Sequence, residues 1–170
     1  MLYLLDANAL ITAHNTWYGH TRVPEFWRWL IHHGEAGQVK MPAQIYSEVE
    51  NGNDALASWM HDPKTKKALL LNEVSDPAAV QEVLYLYGDP LTEADLITIG
   101  QDPFLIAAGL GHPNRVVVTA EVSKATRTGA RRHVPDVCSD CKVNWMHPIT
   151  FIAHLDFSTD WDALNKKTVG

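Results

Sequence analysis

Several features that would assign this chain to a familiar class are scarce or absent. It has only two cysteines, Cys138 and Cys141, in 170 residues, too few for the disulfide framework of a small secreted domain. Their CSDC spacing could seed a zinc site with His133, but a single CxxC pair is more often two ordinary thiols. No run approaches the roughly 18 apolar residues of a membrane span, and the apolar start lacks a basic leader and is broken at Asp6. We therefore expect a cytoplasmic protein that does not enter a membrane.

Basic residues are also scarce. The chain has 14 Lys and Arg against 20 Asp and Glu, for a formal net charge of −6, which argues against a broad surface that coats nucleic acid. One local cluster remains in the segment 124–132, which reads KATRTGARR. A solvated loop or helix face would have the same composition. The alternative is an RNA-backbone docking site made by the four basic residues of this segment, Lys124, Arg127, Arg131 and Arg132.

The remaining composition is that of one globular domain. Hydrophobic residues make up 46% of the chain, enough for a substantial core. Short apolar runs typical of buried strands occur at residues 2–5, 115–119 and 143–146. Helical patterns lie between them, including one that follows Pro24 and is ended by Gly34 and Gly37, one capped by Asn53 or Asp54, and others at 76–88, 91–99 and 148–155. This alternation predicts a three-layer α/β/α fold with a central, mostly parallel sheet. We assign residues 1–155 to the domain and 156–170 to a polar C-terminal tail.

Four acidic residues lie far apart in the chain, each at the edge of an apolar run: Asp6, Glu48, Asp102 and Glu121. In a parallel sheet the loops at the carboxyl ends of the strands meet in one crevice, so we expect these side chains to converge. Carboxylates at close quarters repel one another unless a divalent cation holds them. Oxygen ligands without a His or Cys partner favour Mg²⁺ or Mn²⁺ over zinc. Such a site suits phosphodiester hydrolysis.

Each of these acids also has an ordinary structural interpretation. Asp6 and Asp102 stand where a helix N-cap is favoured, and Glu121 could be a first-turn acid stabilised by the helix dipole. On a helical wheel Glu48 flanks the apolar face, whereas Glu50 is predicted to point to solvent.

Asp95 is a reserve candidate for the acidic site. It lies seven residues before Asp102, which would put both on nearly the same face of one continuous helix. Pro103 opposes such a helix, because the residue before a proline is pushed out of the helical region.

The order of these motifs resembles the PIN domain, the fold of VapC-like toxin ribonucleases, over roughly residues 2–155. The motifs are LLDANALI, a helical Glu after a short strand, DPFLIAAG and VVVTAE. The chain is most similar to a little-characterised bacterial PIN-like subgroup whose segments read YYGF, PGFWDWL, EL..GND.L..W and VVT.E. The corresponding segments here are WYGH, PEFWRWL, EVENGNDALASW and VVVTAE.

The resemblance implies a metal-dependent endoribonuclease. In it, Asp6, Glu48, Asp102 and Glu121 take the family's catalytic and metal-binding positions, and Asn8 and Thr119 match its supporting polar positions. The fourth acid is usually Asp in this family and is Glu here. The resemblance further implies an RNA substrate, Mg²⁺ or Mn²⁺, a cognate antitoxin protein and a homodimer.

Two other functions remain open at the level of sequence. A PIN-like scaffold could bind RNA or protein without cutting. A phosphohydrolase of the haloacid dehalogenase type also starts with an Asp after an apolar strand, but it requires a second Asp where Asn8 stands.

Overall fold

Four short apolar strands form the centre of the molecule. The structure, a computed structural model, describes residues 1–160. The strands are β1 (Leu2–Leu5), β2 (Val39–Lys40), β3 (Arg115–Val118) and β4 (Asn144–Met146), and they form one sheet in the order β2-β1-β3-β4. All three strand pairs are parallel. In the central pair, Leu5 lies opposite Val118, so β1 and β3 end at the same level.

Helices fill the connections between the strands, as parallel pairing requires. Pro stands in the first turn of six of the helices in residues 1–160, where its missing N–H has no intrahelical partner to lose. One turn of 3₁₀ helix covers Gly129–Arg131. In chain order the α-helices within residues 1–160 are α1 (Ala7–Asn15), α2 (Pro24–Glu35), α3 (Ala43–Glu50), α4 (Ala55–Met60), α5 (Pro63–Leu69), α6 (Pro77–Tyr87), α7 (Glu93–Ile99), α8 (Asp102–Ala107), α9 (Val134–Asp140) and α10 (Pro148–His154).

Helices cover both faces of the sheet. On one face the ring of Tyr3 meets that of Phe151 in α10 edge to face at 5.2 Å, and Trp29 of α2 packs on the same Phe151 ring. On the other face α6, α8 and α9 pack together. There Gly109 allows a close approach, because a Cβ at this position would come within 2.7 Å of a Val143 methyl group. The molecule is therefore a three-layer α/β/α domain.

The predicted fold class is confirmed, and the sheet is wholly parallel. The helix after Pro24 ends at Glu35, between Gly34 and Gly37, as predicted. Asp54 is the helix cap, since its Oδ1 accepts a hydrogen bond from the N–H of Ala57 at 2.9 Å. Strand β2 had no clear pattern in the sequence, because two residues are too few to show a period.

The beginning of the predicted tail packs against the domain. The ring of Phe157 lies 5.6 Å from that of Tyr18 and 5.3 Å from that of Trp29, so the aromatic core continues two residues past the predicted boundary at 155. Residues 161–170, the greater part of the predicted tail, lie outside the described residues. None of the helices within residues 1–160 combines the length and apolar composition needed to cross a membrane.

Gly34 provides a test of the packing between α2 and α5. A Cβ at this position would lie 2.8 Å from the carbonyl oxygen of Ala68, a backbone atom that cannot move aside. We expect Gly34→Ala to lower the free energy of unfolding by about 1–3 kcal/mol, the usual cost of overpacking. Gly19→Ala is the matched control, because the nearest atom to its Cβ would be 3.6 Å away. Urea denaturation of both variants measures the difference, and equal stabilities would contradict this account of the contact.

Candidate functional site

The carboxyl ends of β1 and β3 bring two polar residues together. Asp6 directly follows β1 and Thr119 directly follows β3. The backbone N–H of Asp6 donates to the carbonyl of Val118 at 2.9 Å. Residues that are 113 positions apart in sequence are therefore in contact.

Asp6 is buried, with only 4% of its surface exposed. It stands at the N-cap position of α1 but makes no side-chain capping bond, so the ordinary interpretation as a cap is wrong for this residue. Its Oδ2 instead accepts hydrogen bonds from the hydroxyl of Thr119 at 2.7 Å and from the amide of Asn8 at 2.6 Å. The Asn8 side-chain oxygen accepts in turn from the N–H of Ala120 at 2.8 Å. Asn8 and Thr119 thus orient the Asp6 carboxylate and tie it to the end of β3.

Asp102 is the first residue of α8. The N-cap position is occupied by Gln101, so Asp102 is not the helix cap. Its carboxyl group has no hydrogen-bond partner in the part of the chain that the structure describes. The pKa of Asp102 is raised to about 8, mainly by burial and then by the charges of Asp6, Glu121 and Glu48, in that order. Asp102 therefore interacts electrostatically with all three of the other acids.

The pKa of Asp6 is also raised, to about 6. Burial is the largest cause, the hydrogen bond from Thr119 opposes it, and the negative charges of Glu121 and Glu48 add to it. No basic side chain is among the groups that shift either pKa. The four acids predicted from the sequence therefore influence one another at one site, and their mutual repulsion has no cationic counterpart among the groups that act on Asp6 and Asp102.

Glu48 lies at the outer edge of this acidic site. It is on α3, which packs against α1 and α8, and although the residue is exposed, partial burial of its carboxyl group raises the pKa. It borders an open groove of about 430 Å³ together with Ser47, Asn51 and Gln101. Of the residues that line this groove, Glu48 is itself one of the four acids and Gln101 directly precedes another, Asp102.

The prediction that Glu50 points to solvent is wrong. Only 16% of its side chain is exposed, and its Oε1 lies 2.9 Å from the Nζ of Lys66 on α5. His61 also approaches the Glu50 carboxylate, at 3.5 Å. The helical wheel of α3 alone could not reveal this, since the segment that covers Glu50 comes from α4 and α5.

Glu121 joins the acidic site to α9. Its Oε2 accepts a hydrogen bond from the N–H of Val134, the first residue of α9, at 2.8 Å. Its own N–H donates to the hydroxyl of Thr119 at 3.2 Å. The longer Glu side chain thus spans from the end of β3 to the start of α9.

The reserve candidate Asp95 has a local role. Its Oδ2 accepts hydrogen bonds from the N–H and the hydroxyl of Thr92, at 2.9 and 2.6 Å, in a capping box at the start of α7. These bonds lower the pKa of Asp95. Gly100, with φ of 60°, separates α7 from α8, so Asp95 and Asp102 are not on one helix.

Tyr87 is a neighbour of the site that the sequence indicated only as a core residue. Its hydroxyl is buried and has no hydrogen-bond partner in the described residues. Burial raises its pKa, and Asp102 is the largest of the charges that add to the shift. The sequence does not reveal that Tyr87 interacts with Asp102. The two residues lie on α6 and α8, and α7 separates these helices in the chain.

The donor set fits a hard divalent cation by its chemistry, since the converging groups are carboxylates with no nitrogen or sulfur ligand among them. Asp102 in particular is a carboxyl group with a strongly raised pKa and without a hydrogen-bond partner in residues 1–160. As the side chains stand in residues 1–160, no three His, Cys, Asp or Glu groups are gathered tightly enough to hold a metal ion. Glu121 in particular is bonded to the backbone of α9.

The basic segment lies directly beyond Glu121. His133 lies 2.8 Å from the carbonyl of Val122 through Nδ1 and 2.8 Å from the guanidinium of Arg127 through Nε2. Both ring nitrogens of His133 are therefore engaged, and Cys138 is buried in α9. This arrangement does not fit the zinc site that the CSDC spacing allowed.

Arg132 differs from the other basic residues of this segment. Its guanidinium donates to the carbonyl of Leu86 at 2.8 Å and to the carboxylate of Asp140 at 2.5 Å. It thereby connects the end of α6 with α9. The candidate RNA contacts on exposed positions are the other three, Lys124, Arg127 and Arg131.

The fold and the acidic residues that follow its strands define the class of protein. It is a parallel α/β/α domain with an acidic site at the carboxyl ends of its strands. The chain belongs to the family described as a domain of unknown function (DUF4411), whose model matches residues 3–159. The match includes all four strands and all four acids. No curated protein and no solved structure matches the chain.

The raised pKa of Asp102 predicts how stability changes with pH in metal-free protein. The folded state keeps a proton that the unfolded state releases above the ordinary value of 3.8, up to about pH 8. Stability therefore falls as pH rises through this window. Relative to Asp102→Asn, we expect the wild-type free energy of unfolding in EDTA to decrease by at least about 1 kcal/mol between pH 5 and pH 8, since one pKa unit corresponds to about 1.4 kcal/mol. The comparison removes the opposite contribution of His20, whose pKa is lowered to about 4.

Asp102→Asn cannot ionise and should flatten this dependence in urea denaturation at the same pH values. Asp95→Asn, in the capping box, should leave the slope unchanged. The same pH dependence in wild type and Asp102→Asn would contradict the assignment.

Proposed function

We propose that this protein is a PIN-like, metal-dependent endoribonuclease that hydrolyses RNA phosphodiester bonds. The observation that supports it best is the convergence of Asp6 and Asp102 with Glu48 and Glu121 at the carboxyl edge of a parallel sheet. Ligands in open α/β sheets bind at this edge, and strongly perturbed carboxyl pKa values are typical of functional sites. The motifs also occur in the same order as those of PIN ribonucleases, and this resemblance is the basis for proposing RNA hydrolysis as the reaction.

The roles of the residues follow from their surroundings. Asp6 and Asp102 are the principal ligands of Mg²⁺ or Mn²⁺, because they are the acids whose pKa values burial raises most. Asn8 and Thr119 hold Asp6 in one orientation. When bound, the cation supplies an activated water and neutralises charge in the transition state. Protonation of Asp102 below about pH 8 competes with cation binding, so affinity for the cation rises with pH.

Glu48 and Glu121 complete the acidic site from opposite sides. Glu48 borders the open groove through which a strand could approach. Glu121 is tied to α9 and precedes the basic segment. Since RNA is a polyanion, cations near the acids are needed to hold it, and Lys124, Arg127 and Arg131 supply them on exposed positions.

The resemblance to VapC-like toxins extends the proposal to partners. On this basis the protein is the cytoplasmic toxin of a toxin–antitoxin pair, inhibited by a cognate antitoxin, and forms a homodimer. A small open reading frame next to its gene would support the first part.

A non-catalytic PIN-like scaffold for RNA or protein is the second candidate. The engagement of Glu121 with the backbone of α9 favours it, because that carboxylate is then not directed at a cation. The phosphohydrolase alternative has less support, since Asn8 occupies the position of its second Asp and is hydrogen-bonded to Asp6.

Asp102→Asn tests the ribonuclease directly. It removes one charged ligand but keeps the shape of the side chain, so we expect loss of Mn²⁺-dependent cleavage by at least about 100-fold with the fold retained. Asp95→Asn is the matched control, because the same change is made at an exposed capping box, and it should cut like wild type. Gel analysis of a mixed pool of structured and single-stranded RNA, with and without EDTA, provides the measurement.

Two results would count against the proposal. Cleavage by Asp102→Asn at the wild-type rate would remove this residue from the site. RNA binding by wild type without any metal-dependent cutting would favour the scaffold.

The basic segment has its own test in the salt dependence of RNA binding. Each phosphate contact to single-stranded RNA contributes about 0.7 to the slope of log K against log salt, so Lys124→Ala with Arg131→Ala should lower the slope by about 1.4. The control pair is Lys64→Ala with Lys67→Ala, two exposed lysines on α5, which should leave the slope unchanged. Equal slopes for both pairs would show that residues 124–132 do not contact RNA.

A further inference from the structure

An apolar pocket of about 210 Å³ lies between α1, α2 and α10. Its inner wall is made by Leu5 and Val118, the last residues of β1 and β3, and by Ala120. Neither the acidic motifs nor the proposed reaction uses this pocket. The question is what chemical group it accepts.

The pocket begins next to the acidic site. Leu5 directly precedes Asp6, and Ala120 lies between Thr119 and Glu121. The N–H of Ala120 is the group that holds the side chain of Asn8, at 2.8 Å. Residues that line the pocket and residues of the acidic site therefore alternate along the ends of two adjacent strands.

The mouth of the pocket carries a large exposed aromatic side chain. Trp17 is 68% exposed and stacks on no other ring in residues 1–160. Behind it, Tyr18 is stacked on Phe26 with ring centroids 4.4 Å apart, which makes that wall rigid. The polar groups at the edge are few, among them Thr12 and His147. Mostly apolar walls, an exposed ring and a few polar groups are typical of a site for a flat aromatic ligand.

We propose that this pocket accepts an unpaired base of the RNA substrate, next to a phosphate that a cation bound at the acids would hold. An apolar cavity of about 150 Å³ accommodates a benzene ring, so the observed volume suffices for one base. Bases in single-stranded RNA stack on Trp, Tyr and His side chains. The inference rests on the proposed ribonuclease function and specifies its substrate class as RNA that is unpaired at the cleavage site.

The dimensions of the pocket favour a base over a protein partner. A stable protein interface buries about 800 Å² on each side, whereas this cavity is enclosed by three helices and holds a ring-sized group. A base inside a duplex could enter only after it leaves its stack, at a cost of a few kcal/mol. Duplex RNA is therefore the poorer ligand.

Two variants test the pocket in different ways. Trp17→Ala removes the exposed ring, and Ala13→Phe fills the cavity from α1. Tyr85→Ala is the matched control, because Tyr85 is 58% exposed and does not line the pocket. Circular dichroism and thermal melting establish that all three fold. The probe is a short fluorescein-labelled single-stranded RNA in EDTA, compared with the same strand annealed to its complement.

We expect Trp17→Ala and Ala13→Phe to weaken single-strand binding by about tenfold, because a base–aromatic stack contributes about 1–3 kcal/mol. Duplex binding should not change, and Tyr85→Ala should match wild type. An abasic position in the strand should weaken binding to wild type and have less effect on Trp17→Ala. Mn²⁺-dependent cleavage of the single strand should fall in parallel with binding.

Other outcomes overturn the proposal and separate it from the reaction. If wild type cuts RNA and both pocket variants bind and cut like wild type, the base site is wrong and the ribonuclease remains. If wild type neither binds nor cuts any RNA, both proposals fail. If the pocket variants change only the sedimentation coefficient, the occupant is a second copy of this chain.

Discussion

The parallel pairing of β1 with β3 is the constraint on which the rest of the structure depends. Its register sets Leu5 opposite Val118, so Asp6 and Thr119 leave the sheet side by side. The hydrogen bond between them orients a buried carboxylate. The same register also sets Leu5 and Ala120 in the wall of the apolar pocket. One strand pair thus determines the position of both the acidic site and its apolar neighbour.

The acidic site opposes folding. Burying Asp102 among three other acids raises its pKa to about 8, which means that its charged form is unfavourable in the folded protein. Natural proteins keep such unfavourable arrangements mainly at functional sites. The parallel sheet and its aromatic core, with Trp29 and Phe151 in contact across α2 and α10, provide the stability that offsets this cost. A divalent cation would remove the repulsion and couple binding to stability.

Residues of the same type have different roles in this chain because of their neighbours. Asp95 and Asp102 both stand at helix starts, yet only Asp95 completes a capping box. Arg131 is exposed, whereas its neighbour Arg132 is held by Leu86 and Asp140. Glu48 reaches the acidic site and Glu50, two residues on, pairs with Lys66. Residue type and spacing identify these side chains as candidates. Their different roles are set by interaction partners from distant segments of the chain.

Local patterns in the sequence predicted the α/β class, the positions of β1, β3 and β4, a helix cap at Asn53 or Asp54, and the acids to consider. Those features follow from local periodicity and turn chemistry, which act between residues close in the chain. The structure shows that Asp54 is the cap. Tertiary contacts were needed to reveal the two-residue strand β2, the effect of the Asp102 charge on Tyr87, the pairing of Glu50 and the apolar pocket. Each of these features depends on segments that are distant in sequence and come into contact only in the folded chain. Patterns among neighbouring residues therefore cannot predict them.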